Sequence, residues 1–498
     1  MIAVAETTPA PVTLAGLLDG LVDVSVPDIS IAHVALDSRQ VRPGSLFMAC
    51  AGATVHGLDF GDQAAKRGAV AIVWDGERAP VVDIPCVRVA HLAALVSTIA
   101  GRFHGEPSKR LSVTGITGTD GKTSCAWMLA QALDGLGQDC GYIGTLGLGR
   151  TTDLAPATHT TPDAVSVQQW LARFVEDNLS AVAFEVSSHA LDQHRVDGIA
   201  FDTAVLTQIG RDHLDYHGDA AHYAAAKRRL FARPGLRHAV INADDAQGRS
   251  WLATLDATVT PVVYGHGDLR ALADCYVRIV DVALRADGLV LDVETHRGTA
   301  RIDSALVGDF NAMNLAAVLA VLLARGEPLA DCVAVLDRIE TVPGRMQRVP
   351  GRADQPLVVV DFAHTPGALK GALAAVRAHT AARVLCVFGC GGDRDRGKRA
   401  LMGQAAIEGA DGVWVTDDNP RSESPEAIVA DILAGMGAST AVRVEHDRAA
   451  AIAQAIAEAA RGDVVLIAGK GHETTQQVGA ERRSFDDRVV AQRALEAA

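Results

Sequence analysis

The run Leu111-Ser-Val-Thr-Gly-Ile-Thr-Gly-Thr-Asp-Gly-Lys-Thr-Ser124 constrains this chain more than any other. An apolar strand, a glycine-rich turn and a helix start follow one another, an order that aims backbone N–H groups at a single point and suits phosphate. Lys122 stands where its amine reaches β- and γ-phosphates, and Thr123 where its hydroxyl meets magnesium. The generic motif has glycine five residues before Gly121; that position is Ile116, so the turn is a shortened variant. The plainer alternative is an ordinary glycine-rich strand-to-helix turn.

The surrounding pattern predicts an α/β chain of three domains, since 498 residues exceed what one core usually serves. Apolar runs at 111–116, 181–186, 203–207 and 239–242, each followed by a helical pattern, indicate a central P-loop-type parallel-sheet ATPase domain over 109–345. Within it, the β-branched stretch 276–302 predicts a meander before a helix starting near Asn311. Strand patterns at 31–36, 45–49 and 70–74 and a helical one at 58–66 predict a small N-terminal α/β domain, 1–108. It ends in a polar linker, His104-Gly-Glu-Pro-Ser-Lys109. After Pro343-Gly344-Arg345, apolar runs at 357–361, 384–388, 412–416 and 464–468 alternate with alanine-rich helices at 368–377 and 449–460. That is a C-terminal doubly wound Rossmann-like domain, 346–498.

The formal charge of -14 offers no basic excess for nucleic acid or anionic lipid, so anionic substrates must be captured by local devices. The eight cysteines are dispersed, without metal-site spacing or disulfide density, which suits a reducing cytosol. The segment Met1–Pro11 lacks a basic stretch before an apolar run, and no stretch approaches the ~20 apolar residues a membrane span needs. The expectation is a cytoplasmic monomer acting on small molecules, with no nucleic-acid or membrane partner.

Thr117-Gly-Thr-Asp-Gly-Lys-Thr123 is similar to the loop of the Mur ligases and the related folylpolyglutamate synthases. The resemblance implies an ATP-dependent amide-bond ligase. Joining amine to carboxylate in water needs an activated acyl group, here an acyl phosphate made from ATP's γ-phosphoryl. It implies ATP contacts from Gly118, Thr119, Asp120, Gly121, Lys122, Thr123 and Ser124, with Asn311, Asn314, Arg345, Asp361 and His364. It further implies catalytic roles for Lys122, Glu185, His213 and Lys227. Magnesium would be held by Thr123, Glu185, His213 and Lys227, the lysine carrying a carbamate derived from carbon dioxide. Taken singly, Glu185 reads as a helix cap, His213 as a surface histidine and Lys227 as a solvated helix residue. Asn311 likewise reads as a cap and His364 as turn chemistry. One departure is Asp120, where Mur ligases usually carry asparagine; a carboxylate beside triphosphate is unhelpful unless it turns away or acts through the metal.

The segment from Leu36 to Ala49 resembles the uridine-binding segment of family members acting after the dipeptide stage. UDP-muramoyl dipeptide contacts are thereby implied for Leu36, Ser38, Ala53, Thr54 and Val55, and for Thr160, Thr161, Ser187, Gln193, Arg195 and Lys227. Asp418-Asn419-Pro420-Arg421 resembles the segment of members that add diaminopimelate, implying a pocket that also includes Arg394, Gly469 and Glu473. An arginine fork suits the far carboxylate of meso-diaminopimelate and Glu473 its ammonium, whereas lysine would leave those charges unpaired. The rivals are a lysine-adding ligase, which lacks the Asp-Asn-Pro-Arg pattern, and a D-alanyl-D-alanine-adding ligase. A folylpolyglutamate synthase would not need the uridine domain, and a kinase would transfer phosphate without an amine. A non-catalytic NTP-binding regulator would leave Glu185, His213 and Lys227 unexplained.

Overall fold

The computed structural model of the chain describes residues 12–52, 55–437 and 441–497. Ala53 and Thr54, and the segment Met1–Pro11, lie outside them. The chain divides into two compact units, Met1–Pro261 and Val262–Ala498.

In the first unit, a small sheet carries four parallel strands in chain order: His33–Ala35, Ser45–Ala49, Ala69–Trp74 and Cys86–Arg88. Alternate residues serve opposite faces. Leu46, Met48, Ala71 and Val73 pack with Leu14, Leu17 and Ile99, whereas Phe47, Ala49 and Ile72 pack with Leu58 and Ala64. The helix expected over 58–66 is a 3-10 turn, Gly57–Phe60, followed by the α-helix Gly61–Lys66. A reciprocal cap winds that start tightly: Leu58 N donates to His56 Nδ1 and His56 N to the Asp59 carboxylate. The expected linker overlaps a further 3-10 turn, Pro107–Arg110.

The larger sheet of this unit has a parallel core in the order His238–Asn242, Thr203–Leu206, Ser112–Thr117, Ala181–Glu185, Cys140–Gly144. The antiparallel strands Gly147–Arg150 and Asp153–Ala155 extend it. Ser112–Thr117 is central, so the turn that follows it emerges at the carboxyl end of the sheet, where open α/β sheets place ligands. Sequence patterning missed Cys140–Gly144 because glycine is poor strand material. The glycines have a packing reason: a Cβ on Gly141 would collide with the Phe174 ring, and one on Gly144 with the Glu185 carboxylate.

In the second unit, Val262–Gly265 pairs with the start of Cys275–Arg285, which continues antiparallel through Gly288–Thr295 to Gly298–Ser304. The expected meander is therefore present, and the following helix runs Phe310–Ala324, buried continuously from Leu315 to Leu323. A six-stranded sheet follows in the order Gln347–Val349, Leu357–Asp361, Val464–Ala468, Val384–Phe388, Gly412–Val415, Val442–Val444, parallel except for the first pair. One face, with Val359, Cys386 and Leu466, packs against Leu369, Leu373 and Met402. The other, with Val360, Leu385 and Val465, packs against Ile452, Ile456 and Leu495. Helices thus cover both faces. Among the described residues no helix is long and apolar enough to cross a membrane, and all eight cysteines are free.

Candidate active site

The turn after Ser112–Thr117 is closed by two glycines in left-handed or neighbouring backbone conformations, Gly118 (φ 150°) and Gly121 (φ 83°). The second begins the helix Lys122–Gly135. A Cβ on Gly118 would overlap the Thr207 hydroxyl, so only glycine fits. The loop is braced by its neighbours: Thr119 N donates to the Gln208 carbonyl (2.7 Å), Gly210 N to Thr119 Oγ1 (2.8 Å), and Thr119 Oγ1 meets Tyr223 OH (3.0 Å). Asp120 turns its carboxylate to Gln208, whose Nε2 donates to Oδ2 at 3.0 Å. The departure noted in the sequence is thus occupied by a local bond. Ser124 lies in the first turn of the helix.

Lys122 donates from Nζ to the carbonyls of Gly118 (3.0 Å) and Thr119 (2.8 Å). Burial lowers its pKa, against the pull of Glu185, Asp120 and Asp212. Thr123 Oγ1 donates to Glu185 Oε2 at 2.7 Å. Glu185 is wholly buried at the end of Ala181–Glu185. Its other donors are neutral: Tyr142 OH (2.5 Å), Thr145 N (2.9 Å) and Thr145 Oγ1 (3.1 Å). Tyr142 and Thr145 were not foreseen from sequence. A hydroxyl and a carboxylate converging beside a phosphate-binding turn form a hard-oxygen pair that fits Mg2+.

Lys227 is buried, donates to the Gly118 carbonyl at 2.6 Å and lies 4.4 Å from the Tyr223 ring centroid. Burial, followed by the nearby Lys122 charge, pushes its pKa down to about 7. His213 is exposed, caps the helix Leu214–His217 with φ 51°, and has its ring 4.7 Å from that of His189. The structure therefore joins Thr123 directly to Glu185 and joins Lys122 to Lys227 through one shared carbonyl. No hydrogen bond among the described residues ties His213 to any of them.

A cleft of about 360 Å3 in the same unit brings Leu36 together with Gln193 and Arg195, and with Thr158, His159 and Asp163. Arg195 is positioned by donating to the Thr161 carbonyl (2.7 Å) and Gln193 Oε1. Thr161 donates in turn to the Glu185 carbonyl (2.7 Å) and accepts from Ser187 N (3.0 Å), which links the cleft to the carboxylate. Thr160 Oγ1 meets Thr145 Oγ1 at 3.0 Å. Ser38 is buried and donates to Gln63 (2.8 Å), and Val55 is exposed.

In the second unit, Asn311 and Asn314 are buried on one helix face, Asn314 Nδ2 donating to Asn311 Oδ1 at 3.0 Å. The Asp361 carboxylate accepts from Met346 N (2.7 Å) and Ala363 N (2.8 Å), and burial raises its pKa. The Phe362 ring gathers Arg345 at 4.9 Å, His364 at 4.5 Å and His472 at 5.2 Å. Beside it, the backbones of Gly344 and Gly471 cross so closely that a Cβ on either would collide with the other segment.

The loop after Val384–Phe388 meets the segment after Gly412–Val415. Arg421 NH1 donates to the Gly392 carbonyl (2.7 Å), Arg394 NH1 to the Asp393 carbonyl (3.2 Å), and Ser422 Oγ to Asp393 (2.6 Å). Pro420 packs its carbonyl against Gly392, where a Cβ would collide. Asp418 is buried, which raises its pKa. Its Oδ2 would lie 2.9 Å from a Cβ on Gly469, whose φ is 115°. Asn419 Nδ2 donates to Asp418 Oδ1 and Glu473 Oε2, both at 2.9 Å. Burial opposes ionisation of Glu473, yet the Asn419 hydrogen bond and the Lys470 charge hold its pKa below the ordinary value. Lys470, wholly buried between two glycines, was also unforeseen.

Residues 30–104 match the Mur ligase family catalytic domain, residues 116–322 the Mur ligase middle domain, and residues 344–471 the Mur ligase glutamate ligase domain. A UDP-N-acetylmuramoyl-L-alanyl-D-glutamate--2,6-diaminopimelate ligase of Alkalilimnicola ehrlichii is 49% identical over 481 residues, covering 94% of this chain and 95% of that protein. Its namesake from Pseudomonas aeruginosa is 49% identical over 474 residues, covering 94% and 96%. A solved structure of an enzyme of the same name is 34% identical, with a TM-score of 0.78 over 98% of this chain and 99% of that one.

Proposed function

The chain belongs to the Mur ligase family, and from that premise we propose how its residues perform an ATP-dependent ligation in peptidoglycan synthesis. In that reaction meso-diaminopimelate is joined to the D-glutamate of UDP-N-acetylmuramoyl-L-alanyl-D-glutamate. The observation that carries the reading is the pairing of Thr123 with the buried Glu185 carboxylate directly behind a phosphate-binding turn. The domain bounds are 1–108 for uridine nucleotide, 109–345 for ATP and 346–498 for the added amino acid.

ATP lies on the backbone of residues 118–124, and Lys122 leaves its loop carbonyls to meet the γ-phosphate. Asn311, Asn314, Arg345, Asp361 and His364 complete the nucleotide contacts. Thr123, Glu185, His213 and the Lys227 carbamate would hold Mg2+, which would supply charge neutralisation for the transferring phosphoryl group. Leu36, Ser38, Ala53, Thr54, Val55, Thr160, Thr161, Ser187, Gln193 and Arg195 hold the nucleotide dipeptide with its D-glutamate carboxylate in line. That carboxylate takes the γ-phosphoryl group from ATP, giving ADP and an acyl phosphate. The neutral amine of diaminopimelate attacks the acyl carbon, loses a proton, and expels inorganic phosphate as the amide forms. Arg394 and Arg421 take the far carboxylate, and Asp418, Asn419, Pro420, Gly469 and Glu473 shape the end that holds the ammonium.

Lys227 suits carbamylation because carbon dioxide adds only to an unprotonated amine, and its depressed pKa supplies that form near neutrality. The protein acts as a cytoplasmic monomer on small molecules, with no nucleic-acid or membrane partner. Phosphate release from ATP and magnesium with the UDP-muramoyl dipeptide tests the reading when diaminopimelate and L-lysine are compared as acceptors. Stimulation by diaminopimelate alone is expected; a preference for lysine would overturn the roles of Arg394, Arg421 and Glu473.

A further inference from the structure

We propose that Lys470 is a positioning residue for the added amino acid, anchoring one oxygen of Glu473 so that the other faces the incoming ammonium. The proposal rests on the diaminopimelate reading above and deepens it. Lys470 follows the apolar strand Val464–Ala468 between Gly469 and Gly471, and its side chain is wholly buried. An ammonium has three N–H donors and no acceptor. Here each donor has one oxygen: the Thr475 carbonyl at 2.8 Å, Glu473 Oε2 at 3.0 Å and Asn419 Oδ1 at 3.3 Å.

Asn419 closes the arrangement by donating to the same Glu473 oxygen and accepting at Oδ1 from Gln477 N at 2.9 Å. Glu473 Oε2 thus receives two donors from the protein interior. Its Oε1 takes no hydrogen bond among the described residues, and the side chain keeps 36% of its exposure. One oxygen is anchored inward and one is presented to a ligand. A cation is required because Asp418, itself buried, adds a second carboxylate; Lys470 bears on both, Arg448 also on Asp418 and His472 also on Glu473. A neutral residue at position 470 would remove the cation that bears on both carboxylates and one of the two donors to Glu473 Oε2, leaving Asn419 alone to hold that oxygen.

The test is a double-mutant cycle in the full-length enzyme with meso-diaminopimelate as the varied substrate. Lys470→Met keeps the unbranched apolar stem and removes the ammonium. It is expected to raise the KM for diaminopimelate about tenfold or more while the KM for ATP stays within about twofold, the size of a lost charge-assisted hydrogen bond. In a Glu473→Gln background the same change is expected to add less than about twofold, because the positioned carboxylate is already gone. Multiplying losses in that background, or equal rises in both KM values, would overturn the proposal by showing a general packing role. An unchanged diaminopimelate KM in Glu473→Gln alone would instead overturn the amine-acceptor reading beneath it. Lys470→Gln serves the same cycle if Lys470→Met does not accumulate as folded protein.

Discussion

The two units treat buried charge in opposite ways. Around the phosphate turn of the first, Glu185 is held by a phenol, two hydroxyls and a backbone amide, and no ion pair among the described residues joins it. Lys227 is buried against a carbonyl and an aromatic face and is driven toward neutrality. In the second unit several buried charges are matched by ion pairs, Arg448 with Asp487, both fully buried, Arg399 with Glu423 and Asp431, and Lys470 with Glu473, while Asp361 is held by backbone amides. A site whose charges are left unmatched depends on its ligands, here a metal and a triphosphate, to complete it. A site whose charges are paired beforehand can reject a ligand that fails to continue the pattern.

The largest expected effect is at the unmatched end. Lys122→Ala should lower turnover on the order of a thousandfold, because a cation aimed at transferring phosphoryl charge is lost. Phosphate release at the wild-type rate would break the assignment of the turn. Next comes the matched end: Arg448→Met leaves Asp487 buried without its partner and should cost about 3 kcal/mol of stability. A denaturant titration that shows no loss would mean the pairing there is incidental. A smaller effect is expected from Tyr142→Phe, which removes one neutral donor from Glu185; the magnesium requirement should rise about tenfold, as for other groups that orient metal ligands. An unchanged magnesium titration would show that Glu185 does not need that support. The finest distinction concerns Lys227. Its amine loses a proton as pH rises through about 7, so a carbamate signal in 13C NMR with labelled bicarbonate should grow across that pH and be absent in Lys227→Ala. A pH-independent signal, or none, would remove Lys227 from the metal set.

Sequence was informative where one local rule decided the outcome. Runs such as Val384–Phe388 and Val464–Ala468 read as buried parallel strands because every position is apolar, and both lie as expected. The turn at 117–123 was readable because glycine and lysine have few other reasons to occur in that order. What escaped depends on contacts between distant segments. Tyr142 lies 43 residues from Glu185, on a glycine-rich strand that pattern reading rejects. Lys470 drew no notice, since nothing local reveals that Asn419, 51 residues away, joins Glu473 and Thr475 around it. The Asp120 carboxylate seemed misplaced beside phosphate until Gln208, 88 residues away, appeared as its partner.

The crossing of Gly344 and Gly471 has a mechanical consequence. Neither backbone has room for a Cβ against the other, and the Phe362 ring beside them already holds Arg345 and His472. On the proposed roles, the nucleotide-facing arginine and the loop that presents the amine acceptor turn on one shared pivot. A side chain introduced at either glycine would therefore disturb both segments at once.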